Sequence, residues 1–170
     1  NSYGASVHLD GSRLFNAAAA LKVSAAQICT TADTVAFSLN KGLAAPLGAI
    51  LAGSRDFIEE AVRVRQMFGG GWRPAGIPAA AGRIALQTMP QRLAEDNAVA
   101  LELSKALTGL QGISSGQRQV WTNLVLIDLD PRFGGAQKFS QTLAKFGVLV
   151  LPFGKDRVRL AIYYEITRQH

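Results

Sequence analysis

The sequence predicts an α/β chain in two parts, and three observations predict it. Short apolar runs alternate with helical stretches up to about residue 108. A cluster of Gly109, Gly112, Ser114, Ser115 and Gly116 then forms the only linker-like segment. Beyond it the style changes to strand, helix, strand, strand, as in a small α+β unit. The boundary is therefore placed at 109–116, giving parts 1–108 and 109–170.

In order, Val7 and Leu9 alternate with His8 and Asp10 as in a short strand. Residues 14–22 and 25–30 read as helical, and "TVAFSL" at 34–39 and "LGAILAG" at 47–53 as strands. "SRDFIEEAVRVRQMF" carries Ser54 as N-cap, acids early and arginines late, the charge order that suits a helix dipole. "GGGWRPAG" ends that helix, and the Ala/Leu-rich stretch 77–108, interrupted by Pro90, reads as two helices or one kinked helix. After the linker come strand "VWTNLVLIDL", a helix over 135–146, and the strands "GVLVLP" and "RVRLAIYYEI". Strands alternating with helices in the first part argue for a mainly parallel sheet, whose ligands gather at the carboxyl ends of its strands.

Composition narrows the partners. Eighteen basic against twelve acidic side chains give +6, which suits an anionic ligand, yet no basic run reaches five residues, so a dedicated nucleic-acid face is poorly supported. The single cysteine, Cys29, excludes an internal disulfide framework and a metal site built from cysteines. No apolar stretch reaches the length of a membrane span, and a reducing cytoplasmic setting is expected. Only 18% of residues are charged, so part of the surface is expected to be covered by something else.

Lys41 interrupts a long run whose only other charge is Asp33. Asp10 closes one predicted strand and Lys41 follows another by two residues, so in one parallel sheet a carboxylate and an amine would share an edge. That pair suits pyridoxal phosphate, with the lysine bonded to the cofactor aldehyde and the acid keeping the pyridine nitrogen protonated. A solvated turn would look the same in sequence.

"VHLDGSRLFNAAAALKVS", "FSLNKGLAAPLGAILAGSRDFIEEA", "RQMFGGGWRPAGIPAAAGRIAL" and "RLAEDN" resemble, in order and spacing, the low-specificity L-threonine aldolases, pyridoxal-phosphate enzymes of fold type I. "TNLVLIDL" and "RVRLAIYYEIT" continue the resemblance, which covers essentially the whole chain. It implies the C-terminal portion of the cofactor-binding large domain over 1–108 and a small α+β domain over 109–170. It further implies that Lys41 anchors the cofactor, Asp10 pairs with the pyridine nitrogen, Arg13 lies beside the ring's phenolate oxygen, and Arg73 of "GGGWR" reaches a neighbouring subunit's cofactor phosphate. The implied assembly is therefore a homo-oligomer, a dimer or tetramer. Arg159 is implied as the clamp on the substrate α-carboxylate, with Arg157 on the same strand face as the competing candidate.

Departures from the family pattern are Gln66, where a lysine is frequent, and Tyr163, where a histidine is frequent. The resemblance also implies that the phosphate cradle and the ring-stacking group belong to a portion preceding Asn1, so a truncated form with little activity alone is expected. The activity implied is cleavage of L-threonine or L-allo-threonine to glycine and an aldehyde. Another fold type I lyase, a non-catalytic interaction fragment and, less well supported, a nucleic-acid binder are the competing readings.

Overall fold

A computed structural model describes residues 4–170, which divide into two compact units with the boundary between residues 93 and 94. The first is built on β1 (His8–Asp10), β2 (Thr34–Ser38) and β3 (Ala49–Ala52), in the order β1-β2-β3. β1 and β2 run parallel, with Asp10 opposite Ala36. β2 and β3 run antiparallel, with Ser38 opposite Ala49, which corrects the expectation of a mainly parallel sheet. Residues 39–48 are too few for a parallel crossover, which takes roughly a dozen or more, so the chain folds straight back. The backbone bond from Leu39 N to Gly48 O, 2.9 Å, closes that return.

α1 (Leu14–Leu21) is Ala-rich and ends at Lys22, which adopts the left-handed conformation at φ 56°. α2 (Ala25–Cys29) starts with a capping box: Ser24 Oγ accepts from Gln27 N at 3.2 Å and Gln27 Oε1 accepts from Ser24 N at 2.9 Å. α3 (Arg55–Met67) is capped by Ser54 as its sequence predicts, and α4 (Gly76–Thr88) follows the glycine-rich turn. Leu39, Leu43, Ala45, Ala85 and Leu93 form one buried cluster, with Phe15 and Phe37 edge-to-face beside it at 5.5 Å. The loop after β2 thus places Leu43 and Ala45 in the core, which anchors the segment bearing Lys41.

In the second unit α5 (Leu93–Thr108) and α6 (Ala136–Ala144) accompany β4 (Ile113–Ser115), β5 (Leu124–Leu129), β6 (Leu151–Pro152) and β7 (Arg157–Ala161). Strand order is β4-β5-β7-β6, all pairs antiparallel. Val99 and Ala100 of α5 join Val125, Ile127, Leu129, Ala136 and Val158 in one buried cluster, so this helix packs by contact within the second unit. Part of the expected linker is strand β4, because Ile113–Ser115 pair with β5. The expected strand 147–152 shrinks to Leu151–Pro152, since Gly147 ends the turn after α6 and residues 148–150 pair with no strand among the described residues.

Candidate functional site

Asp10 ends β1, and Lys41 lies three residues beyond the end of the parallel strand β2, so both stand at the carboxyl edge of this pair. Asp10 Oδ1 accepts from Ser12 N at 3.0 Å and from Ser12 Oγ at 2.7 Å. These bonds, with the nearby positive charge of Lys41, hold its carboxyl below the ordinary aspartate range. Lys41 is exposed, and its Nζ donates to Ser38 Oγ at 3.0 Å. Gly42 beside it approaches Asn16 so closely that a Cβ would lie 2.6 Å from Asn16 Oδ1.

Arg13 is the N-cap residue of α1, half-buried and three residues from Asp10. His8, two residues before Asp10 on the same strand face, bonds through Nδ1 with Thr34 Oγ1 at 2.8 Å, and no cluster of three metal-ligating side chains occurs among the described residues. Arg73 follows the turn at Gly69, where φ is +76°, and is exposed, with no carboxylate partner and no contact with Lys41 among the described residues.

Arg159 and Arg157 share a face of β7, and the structure separates their roles. Arg157 donates from Nε to Asp128 Oδ1 at 2.5 Å and from Nη2 to Asp128 Oδ2 at 2.9 Å, a fork that engages both carboxylate oxygens. Arg159 has no carboxylate partner among the described residues; its guanidinium lies over the Phe153 ring at 5.7 Å. Asp10 and Lys41 therefore come together within the first unit, and Arg159 is an unneutralised, half-buried cation of the second.

A donor set of one exposed amine and one carboxylate held ionised fits pyridoxal phosphate: the amine can bond to an aldehyde and the anion can accept from a pyridinium N–H. The family model for beta-eliminating lyases matches residues 1–130. The chain belongs to the beta-eliminating lyase family.

Within that family it is 37% identical to low-specificity L-threonine aldolase 1 of Arabidopsis thaliana over 166 residues, 97% of this chain and 46% of the relative. A candidate L-allo-threonine aldolase from Listeria monocytogenes superposes with a TM-score of 0.81 at 23% identity, over 95% of this chain and 47% of that one. A candidate aromatic amino acid beta-eliminating lyase/threonine aldolase from an Exiguobacterium superposes at 0.83 with 21% identity, over 99% and 50%. The chain spans about half the length of the curated relatives it matches.

Several side chains that hold the site of this beta-eliminating lyase chain escaped the sequence reading. Ser12 was legible, because Asp-Gly-Ser is a turn in which the aspartate accepts from the backbone two residues on. Ser38, three residues before Lys41, carried no distinctive signal. Asp128 and Phe153 needed the strand register, which no local pattern states.

Proposed function

We propose that this chain carries the cofactor anchor and the substrate clamp of a pyridoxal-phosphate lyase of fold type I, acting on β-hydroxy-α-amino acids such as L-threonine and L-allo-threonine. The convergence of Asp10 and Lys41 at one strand edge carries the reading, because a carboxylate held ionised beside an accessible amine is what the cofactor needs. When bound, pyridoxal phosphate supplies a ring that accepts the electron pair released at the substrate Cα. Lys41 anchors that group covalently, and Asp10 holds the proton on its ring nitrogen. Arg13 lies beside its phenolate oxygen.

Arg159 binds the substrate α-carboxylate, since a guanidinium alone offers a rigid two-pronged fork and this one has no internal carboxylate to satisfy it. In the overall reaction the β-hydroxyl gives up its proton, the Cα–Cβ bond breaks to release an aldehyde, and a proton delivered to Cα yields glycine. Arg73, extended from a glycine-rich turn without an internal partner, serves a second copy in a cytoplasmic homo-oligomer. The parts 1–108 and 109–170 act as the end of the cofactor domain and the small domain, with α5, the last helix of the first part, packed by contact among residues of the second. No helix among the described residues is long and apolar enough to cross a membrane.

The test is reduction with borohydride after incubation with pyridoxal phosphate, followed by peptide mapping. The label is expected on Lys41; a label on Lys22 or Lys155 instead overturns the assignment. Asp10→Asn should lower turnover much more than it lowers labelling, because the amide cannot keep the ring nitrogen protonated. The family's name favours β-elimination as the second reading, and product analysis separates them: glycine with an aldehyde for the first, a 2-oxo acid with ammonia for the second.

A further inference from the structure

α3 ends on Met67, the first of the chain's two methionines, and gives way at once to the exposed Phe68 and the glycine-rich turn. Met67 is 68% exposed, whereas the other methionine, Met89, is half-buried against the cluster of Leu39, Leu43, Ala45, Ala85 and Leu93. The two thioethers therefore differ in what can reach them.

Met67 also has a cationic neighbour. Arg63, one helical turn back, directs Nε and Nη2 at the two carboxylate oxygens of Glu60, and its Nη1 donates to Met67 Sδ at 3.8 Å. A thioether sulfur is a weak acceptor with two lone pairs, so this contact covers one of them and leaves the other open. An oxygen added to that sulfur is a far stronger acceptor for a charged N–H donor. The guanidinium thus suits the oxidised side chain better than the reduced one.

We infer that Met67 is a redox-modification site, oxidised by hydroperoxides to its sulfoxide ahead of Met89, with Arg63 selecting the lone pair that reacts and then holding the new oxygen. The open lone pair of Sδ attacks one oxygen of the hydroperoxide, the O–O bond breaks, and the proton on the transferred oxygen passes to the leaving one. The sulfur gives up two electrons, the peroxide takes them, and the products are the sulfoxide and water or an alcohol. A polar, chiral group then stands where an apolar one stood. On the rim of the glycine-rich turn that change weakens contact between copies, a consequence that rests on the reading of this turn as serving a second copy. Peroxide reaches Met67 in the separated chain, and the sulfoxide then keeps the chain apart.

The test uses the whole chain carrying Cys29→Ser, so that the single thiol does not compete, with isotope-labelled methionine methyl groups followed by NMR. Each methionine gives one methyl signal, and Met67→Leu assigns them. On titration with hydrogen peroxide the Met67 signal is expected to vanish while that of Met89 persists, and methionine sulfoxide reductases should restore it. The two sulfoxide epimers should form in a ratio of about three to one, the bias that one weak hydrogen bond supplies, and Arg63→Ala should make them equal. Loss of both methyl signals together, or of Met89 first, would overturn the site. Equal epimers in the parent, or the same bias in Arg63→Ala, would overturn the role of Arg63. Sedimentation is the separate arm: the oxidised chain should shift toward monomer, and unchanged association would overturn the consequence for the turn while leaving the modification site intact.

Discussion

Gly42 decides where Lys41 can stand. A Cβ at this position would lie 2.6 Å from Asn16 Oδ1 and 3.1 Å from Leu93 Cδ2, and both neighbours are buried and cannot swing away. Gly42→Ala should therefore destabilise the first unit by about 1–3 kcal/mol and shift the adjoining lysine. The checks are the urea midpoint and the yield of borohydride label on Lys41; an unchanged midpoint with full labelling would show that the close approach does not matter. The two arginines of β7 teach a complementary lesson. Their spacing put both on one face and left either as a candidate clamp, whereas the pairing of Asp128 with Arg157 is a fact of register between strands that lie 29 residues apart along the chain. The hydrogen bond and charge of Arg157 hold the Asp128 carboxyl below its ordinary range. A depressed folded value favours the native state above the ordinary aspartate range, and that contribution is lost as pH falls through the depressed value. The pair is two-fifths exposed, so the effect is modest. Thermal unfolding of the parent and Asp128→Asn should differ near neutrality, with the difference starting to shrink below about pH 4 and vanishing once the pH is under the depressed value.

The helices were the most legible elements, since caps and charge order are local. Ser54 was readable as an N-cap, and its Oγ accepts from Phe57 N at 3.3 Å. α3 buries no residue completely, so little packing compensates for a lost cap. Ser54→Ala should weaken α3 by about 1 kcal/mol and Ser54→Asp should preserve it. Hydrogen exchange at the first amides of α3 measures this, and equal protection in all three proteins would contradict it. Strand pairing was less legible. Apolar content located β2 and β3, but direction depended on the length of the connecting segment 39–48, and that segment's own burial through Leu43 and Ala45 was invisible to periodicity. Likewise "GVLVLP" is apolar enough for a strand, yet Leu149 is 86% exposed and only Leu151–Pro152 pair. The edge that joins Asp10 to Lys41 was legible because β1 and β2 do run parallel.

At the scale of the whole molecule, composition indicated uncovered apolar surface without saying where it lies. With 18% charged residues and a mean hydropathy of +0.14, the chain has too few polar side chains to coat itself. In the first unit the exposure is concentrated around the glycine-rich turn: Met67 is 68% exposed, Phe68 86%, Trp72 53% and Ile77 80%, with Arg73 among them. Apolar side chains this exposed favour association, while a net charge of +6 opposes it through mutual repulsion. The two terms differ in their response to salt: screening weakens repulsion between copies and leaves apolar contact in place. Sedimentation should therefore show self-association that grows with protein concentration and strengthens between low salt and about 0.15 M, where the screening length is about 8 Å. Phe68→Glu together with Ile77→Lys puts charges into the turn without touching the buried clusters, so it should leave the unfolding midpoint near that of the parent and shift the chain toward monomer. Association that persists in this variant would place the contact elsewhere on the chain, and the reading of Arg73 as a residue serving a second copy would lose its support.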